Sequence, residues 1–286
     1  MLEKNKENSV FSPENEGNSL DFSDYCDAHF HYALLKDSLY ESDFQIKWNA
    51  LSCAHSIEEW KIQTGAPLCV KKAFGLHPQE CSDKDFNLKK NADFLESLLA
   101  EGKRLSFSEG EASVIAAIGE AGFDYFTPEF KDKSLLQEEM WNIQLDLAES
   151  YGLPLVIHCR KANEKLFEYA GRLKKIPALL FHSFMGSSVE ASSLIRRGLN
   201  CFFSFGKQMK NGNKKVIDCV KNLPLENLLL ETDAPFQFLK GESFTGAEEI
   251  ALVYKAAAEI RQIGEGELCA DLKKNYCRFL NLRQAL

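Results

Sequence analysis

Eight short apolar runs, each followed by a helix-like segment, limit what this 286-residue chain can fold into more than any other feature. The runs are YCDAHFH (25–31), WNALSCA (48–54), CVKKAFGLHP (69–78), VIAAIGEAG (114–122), LPLVIHC (153–159), PALLFHSF (177–184), NCFFSFG (200–206) and NLLLETDAP (227–235). Between them, residues 133–151 set Leu136, Met140, Ile143, Leu147 and Tyr151 on one helical face, and residues 245–262 do the same with Ile250, Val253, Ala257 and Ile260. Strands alternating with helices predict a parallel sheet built from βαβ units. A single α/β barrel uses about 250 residues. The eight strands therefore favour closure into one (β/α)8 TIM barrel over an open doubly wound sheet. No G-x-G-x-x-G or G-x-x-x-x-G-K-[ST] run follows a strand, so a nucleotide cofactor is not expected.

The first twenty or so residues lack apolar periodicity and are rich in Asn, Glu and Ser. They predict a flexible N-terminal extension over 1–22, with one domain over 23–286. No apolar run reaches the roughly 18 residues of a membrane span, and the N-terminus has no signal-peptide core, so no membrane partner is expected. Nine cysteines without CxxC pairs fit reduced thiols in a cytoplasmic protein better than a disulfide framework. Cys53, Cys69 and Cys219 sit among apolar neighbours and read as small core residues. The net charge of −8 argues against a surface that grips nucleic acid by neutralising many phosphates. An anionic substrate would have to be attracted locally, by a metal or a few cationic side chains.

Five of the six histidines fall at predicted strand ends: His29 and His31 in CDAHFH, His77 in GLHP, His158 in VIHCR and His182 in FHSF. His55 lies just past the second strand without so clear a setting. Glu120 in GEAG and Asp233 in ETDAP end two further strands. Alternation along a strand points His29 and His31 the same way. The C-terminal strand ends of a barrel form its mouth, where active sites are built. His, Glu and Asp are ligands of borderline-to-hard divalent metals. A lone strand-end histidine is commonly a loop hydrogen-bonder, and an acid after an apolar run commonly caps the next helix. Their convergence on one end of one barrel favours the metal.

The ordered motifs CDAHFH, GLHP, GEAGFDY, LPLVIHCRKA, FHSFMG and ETDAP, over roughly residues 24 to 236, resemble the TatD family of metal-dependent deoxyribonucleases, within the amidohydrolase-like barrel hydrolases. The resemblance implies one or two divalent metals, Mg, Mn or Zn, held by His29, His31, Glu120, His158, His182 and Asp233. It also places His77 and Arg160 beside a substrate phosphate, with DNA, single-stranded or at its ends, as substrate. The chemistry is consistent with these roles. Glu120 has two oxygens with which to bridge metals. Asp233 can ligate and also take a proton as general base, and Arg160 offers a two-pronged fork to phosphate.

One departure stands out. Family members continue after ETDAP into a segment of the type HRGKRNEP, whereas this chain reads FQFLKGESFTGAEEI, without arginine or proline. That favours weaker backbone binding or a smaller substrate. Two other readings stay open: a metallohydrolase acting on amide, ester or aminoacyl bonds, and a catalytically silent relative that binds nucleic acid or a protein partner. Related carbon–nitrogen hydrolases use a carboxylated lysine as the bridge, and Glu120 at that strand favours the nuclease.

Overall fold

The computed structural model describes residues 21–35, 46–108 and 115–282. Residues 1–20 of the expected N-terminal extension lie outside these. Phe22, at its far end, packs at a tilt against Trp48 with ring centroids 5.4 Å apart.

All eight expected strands are present, each shorter than its apolar run: β1 Cys26–Phe30, β2 Asn49–Ala54, β3 Val70–Phe74, β4 Ala117–Asp124, β5 Leu155–Arg160, β6 Leu179–Phe181, β7 Cys201–Phe205 and β8 Leu228–Leu230. They form one sheet in the order β1 to β8, with every ladder parallel. The sheet comes back on itself just past β8, where Asp233 N donates to His29 O (2.9 Å) and His31 N donates to Ala234 O (2.8 Å). The TIM barrel expected from the strand count is therefore formed.

Leu51, Cys53, Ala73, Val156, Leu180, Phe202 and Leu229 pack as an apolar layer with Tyr276 and Phe279 of the last helix, Glu265–Phe279. A larger cluster, including Trp141, Leu145, Phe203, Val253 and Tyr254, fills the space between sheet and helices. The apolar face read from the sequence is only part of the buried side of the helix Ser134–Tyr151. That side carries Gln137, Met140, Trp141, Gln144, Leu145 and Ala148, with Leu136, Ile143, Leu147 and Tyr151 only partly buried. The two glutamines have a polar task. Beyond the end of a strand the backbone loses its ladder partners and needs others. Gln144 accepts from Leu76 N (2.8 Å) and donates to Leu76 O (3.1 Å). Gln137 does the same at Asp124, at 2.9 and 3.0 Å. Both fix loops that carry polar groups to the barrel mouth.

Candidate metal centre

Side chains two apart on a strand share a face, so the apolar layer dictates what stands above it. Two positions beyond Cys53 is His55, beyond Val156 is His158, beyond Leu180 is His182, and beyond Leu229 is Glu231. β4 contributes Glu120 through an irregular register against β5 between Ile118 and Ala121. Gly122 lets the two strands approach there: with φ at 144°, a Cβ on it would lie 2.0 Å from His158 O. Asp27, fully buried, ties β1 to the chain beyond β8 by accepting from Thr232 N (3.0 Å) and Thr232 Oγ1 (2.6 Å). Asp233 itself adopts the left-handed region, with φ at 54°.

Every expected ligand is in this cluster, and Glu120 is its centre. Its Oε1 lies 3.3 Å from His29 Nε2, 3.6 Å from His31 Nε2 and 2.7 Å from His55 Nε2. Its Oε2 lies 2.5 Å from His182 Nε2, 3.3 Å from His158 Nδ1 and 3.6 Å from His77 Nε2. Asp233 Oδ1 stands 3.4 Å from Nε2 of both His29 and His31. Five overlapping sets of three donors, drawn from these residues and Glu231, have all their ligand atoms within 4.8 Å of one another.

The donor set suits a cation. The Nε2 atoms of His29 and His31 face each other at 3.3 Å, as do His158 Nδ1 and His182 Nε2 at 3.2 Å. Such pairs cannot both carry protons, and inward-facing lone pairs are what a metal takes up. Burial pushes His77 down to about 3 and His182 down to about 4, which leaves neutral imidazoles. Burial opposes charge on His158 as well, but hydrogen bonds to Asp124 and Glu120 override it and raise His158 to about 9. Burial alone would raise Glu120; the surrounding histidines, His182 first, outweigh it and hold the carboxyl well below its ordinary value.

A second layer orients the first. His158 Nε2 lies 3.0 Å from Asp124 Oδ2, which also accepts from Gln79 Nε2 at 2.7 Å. Carboxylate–histidine pairs of this kind fix the ring of a metal ligand. His29 Nδ1 lies 3.4 Å from Cys53 Sγ. Gln237 Nε2 donates to Asp233 Oδ2 (2.9 Å), Glu231 Oε1 (3.0 Å) and Ser183 Oγ (2.9 Å). Glu231 also accepts from Ser183 N (2.8 Å) and Ser204 Oγ (2.5 Å).

His77 falls inside the cluster, its Nε2 3.3 Å from His158 Nδ1, while its Nδ1 accepts from Gln79 N. Arg160 is exposed at the end of β5, its guanidinium 3.5 Å over the ring of Phe126. Sequence reasoning passed over His55, Asp124, Glu231 and Gln237. The position of His55 directly past β2 matches that of the other strand-end histidines and was a usable signal. Asp124 and Glu231 lay inside quoted motifs, but nothing in their spacing separates a ligand from a residue that orients one. Gln237 belongs to a loop with no periodicity to read.

The profile described as TatD-related DNase matches residues 26–281. A metal-dependent hydrolase of Mycoplasma genitalium is 31% identical over 218 residues, covering 73% of this chain and 77% of its own. The 3′-5′ ssDNA/RNA exonuclease TatD of Yersinia pseudotuberculosis is 36% identical over 126 residues, 44% of this chain and 47% of its own. The crystal structure of YjjV, a TatD homologue from Escherichia coli, superposes with a TM-score of 0.76 at 23% identity, covering 92% of this chain and all of that one.

Proposed function

The chain belongs to the TatD-related DNase family of metal-dependent hydrolases, and on that premise we propose that it hydrolyses phosphodiester bonds of DNA, at single strands or ends, with the strand-end cluster as its active site. The observation that carries this reading is Glu120, a buried carboxylate whose two oxygens face two separate sets of histidines. A divalent ion against Oε1 would draw on His29, His31 and Asp233, and one against Oε2 on His158 and His182. Such ions polarise the phosphoryl oxygens and acidify a water at neutral pH.

The chain's own groups do the rest. Asp233 turns Oδ1 toward the cluster while Oδ2 accepts from Gln237. Oδ1 is thus the atom positioned to take a proton from the attacking water. Arg160, stacked on Phe126 at the rim, has N–H groups to offer a non-bridging phosphate oxygen pair. His77 has its Nδ1 engaged by Gln79 N and keeps its Nε2 directed into the cluster, where it would hold substrate. Asp124 acts through His158 rather than on substrate.

The test strips the protein with chelator, restores Mg, Mn or Zn, and supplies single-stranded DNA labelled at the 3′ or the 5′ end. Metal-dependent shortening from one end is expected, and the label that disappears first gives the polarity. Metal-loaded protein that shortens neither strand but cleaves amide or ester substrates would overturn the phosphodiester reading in favour of the other hydrolase chemistry.

A further inference from the structure

We propose that Phe236 and Phe238, which flank Gln237 just past β8, form a base-stacking platform by which this enzyme holds the unpaired bases of its substrate beside the metal centre. This rests on the nuclease reading above and adds to it the way substrate is held.

The segment FQF is anchored from within and open to solvent. Gln237 turns inward, its amide donating to Asp233, Glu231 and Ser183. The neighbouring rings face solvent instead, Phe236 at 46% exposure and Phe238 at 50%. The far end of the same loop is fixed by Lys207, fully buried beyond β7, whose Nζ lies 2.6 Å from both Glu242 Oε2 and Glu249 Oε2. Two exposed phenylalanines are thus held on a segment tied down at both ends. A loose loop would bury or scatter such rings; this one presents them.

The position of Phe236 says what the platform would meet. The Phe236 ring lies edge-on to His31, centroids 5.2 Å apart, so a group stacked on it would sit beside the ligand cluster. Phe126, also exposed at the mouth, already has one ring face covered by the Arg160 guanidinium.

Charge selects the substrate's bases over its phosphates as the grip. The protein carries a net −8, and residues 236–250 hold one lysine against three glutamates. A strand tracked along its phosphates needs a cationic groove. Base–aromatic stacking needs none and tolerates any sequence, because every base has a π-face. The rings therefore stand in for the arginines missing from this loop. Duplex bases are already stacked on each other, so the platform favours single strands and frayed ends.

The experiment compares two metal-dependent cleavage rates on oligomers of equal length and charge, one of thymidylate and one of abasic phosphodiester units. Wild-type protein should favour the base-bearing oligomer by about tenfold or more in kcat/KM, chiefly through KM, from stacking of one or two bases. In the Phe236→Ala, Phe238→Ala double variant that preference should fall to within about twofold. Cleavage of the abasic oligomer should be retained, which shows the variant is folded and loaded. Phe236→Tyr, which keeps a ring, should retain the preference. Equal rates on both oligomers in wild type, or a preference that survives loss of both rings, overturns the platform and leaves the nuclease reading intact. Cleavage of neither oligomer by metal-loaded wild type sinks that reading and the platform together.

Discussion

Asp233 occupies the left-handed region with φ at 54°, a conformation that Asp and Asn tolerate better than most residues. Burial would raise its carboxyl, but hydrogen bonds with His29 and His31 outweigh that and hold it well below the usual carboxylate range. It is therefore ionised beside the cluster, the state the proposed role as a metal ligand requires. Asp233→Asn keeps the shape, the tolerated φ and any capping role, and removes the charge and the basicity. Hydrolysis is expected to fall by at least roughly 10²-fold, the low end of what general-base help supplies, with an unchanged circular dichroism spectrum. Metal analysis of the same variant separates the two roles, since loss of a ligand lowers metal content and loss of a base alone does not. Near-wild-type turnover would reduce Asp233 to architecture.

The elements of the fold were legible because burial on both faces of a parallel strand writes a continuous apolar run, and all eight such runs became strands. The helix Ser134–Tyr151 was legible from its apolar steps, but not the whole of its buried side: Gln137 and Gln144 are buried to serve the backbone, a role that apolar periodicity does not register. The GEAG motif shows a similar gap. Its glutamate reads as a ligand, whereas the need for its second glycine appears only once β4 and β5 are side by side. An alanine at Gly122 would place its Cβ against His158 O in a φ that side chains rarely adopt. Overlap and backbone strain each cost about 1–3 kcal/mol. Gly122→Ala should therefore lose about 3 kcal/mol or more in denaturant unfolding, and metal binding with it. Gly152 also has positive φ, at 64°, but open space around it, so Gly152→Ala should lose only about 1–2 kcal/mol. Equal losses at the two positions would show that contact between β4 and β5 is not what Gly122 serves.

At the scale of the whole molecule, the barrel gathers all six histidines, Glu120 and Asp233 at one end, largely out of water. The sequence allowed that convergence to be foreseen for five histidines, because strand ends are countable. It could not supply the distances, which depend on how the barrel closes through Asp233 N and His31 N. Gathering these groups out of water carries a desolvation cost that their mutual hydrogen bonds offset in part, and a cation among the facing lone pairs would offset more of it. Metal binding should consequently stabilise the whole fold. An ion that binds only the folded state adds about 2.7 kcal/mol at a hundred times its Kd, which for a domain of this size is about 5–10 °C in Tm. Manganese is the better probe than zinc, because the nine free cysteines would give zinc soft ligands in the unfolded chain and mask the effect. The expected result is one cooperative transition after chelation that moves upward as manganese is added, and back when chelator is restored. A Tm unmoved by saturating manganese would mean that the cluster is held together by its own hydrogen bonds, and that Glu120 bridges histidines instead of metals.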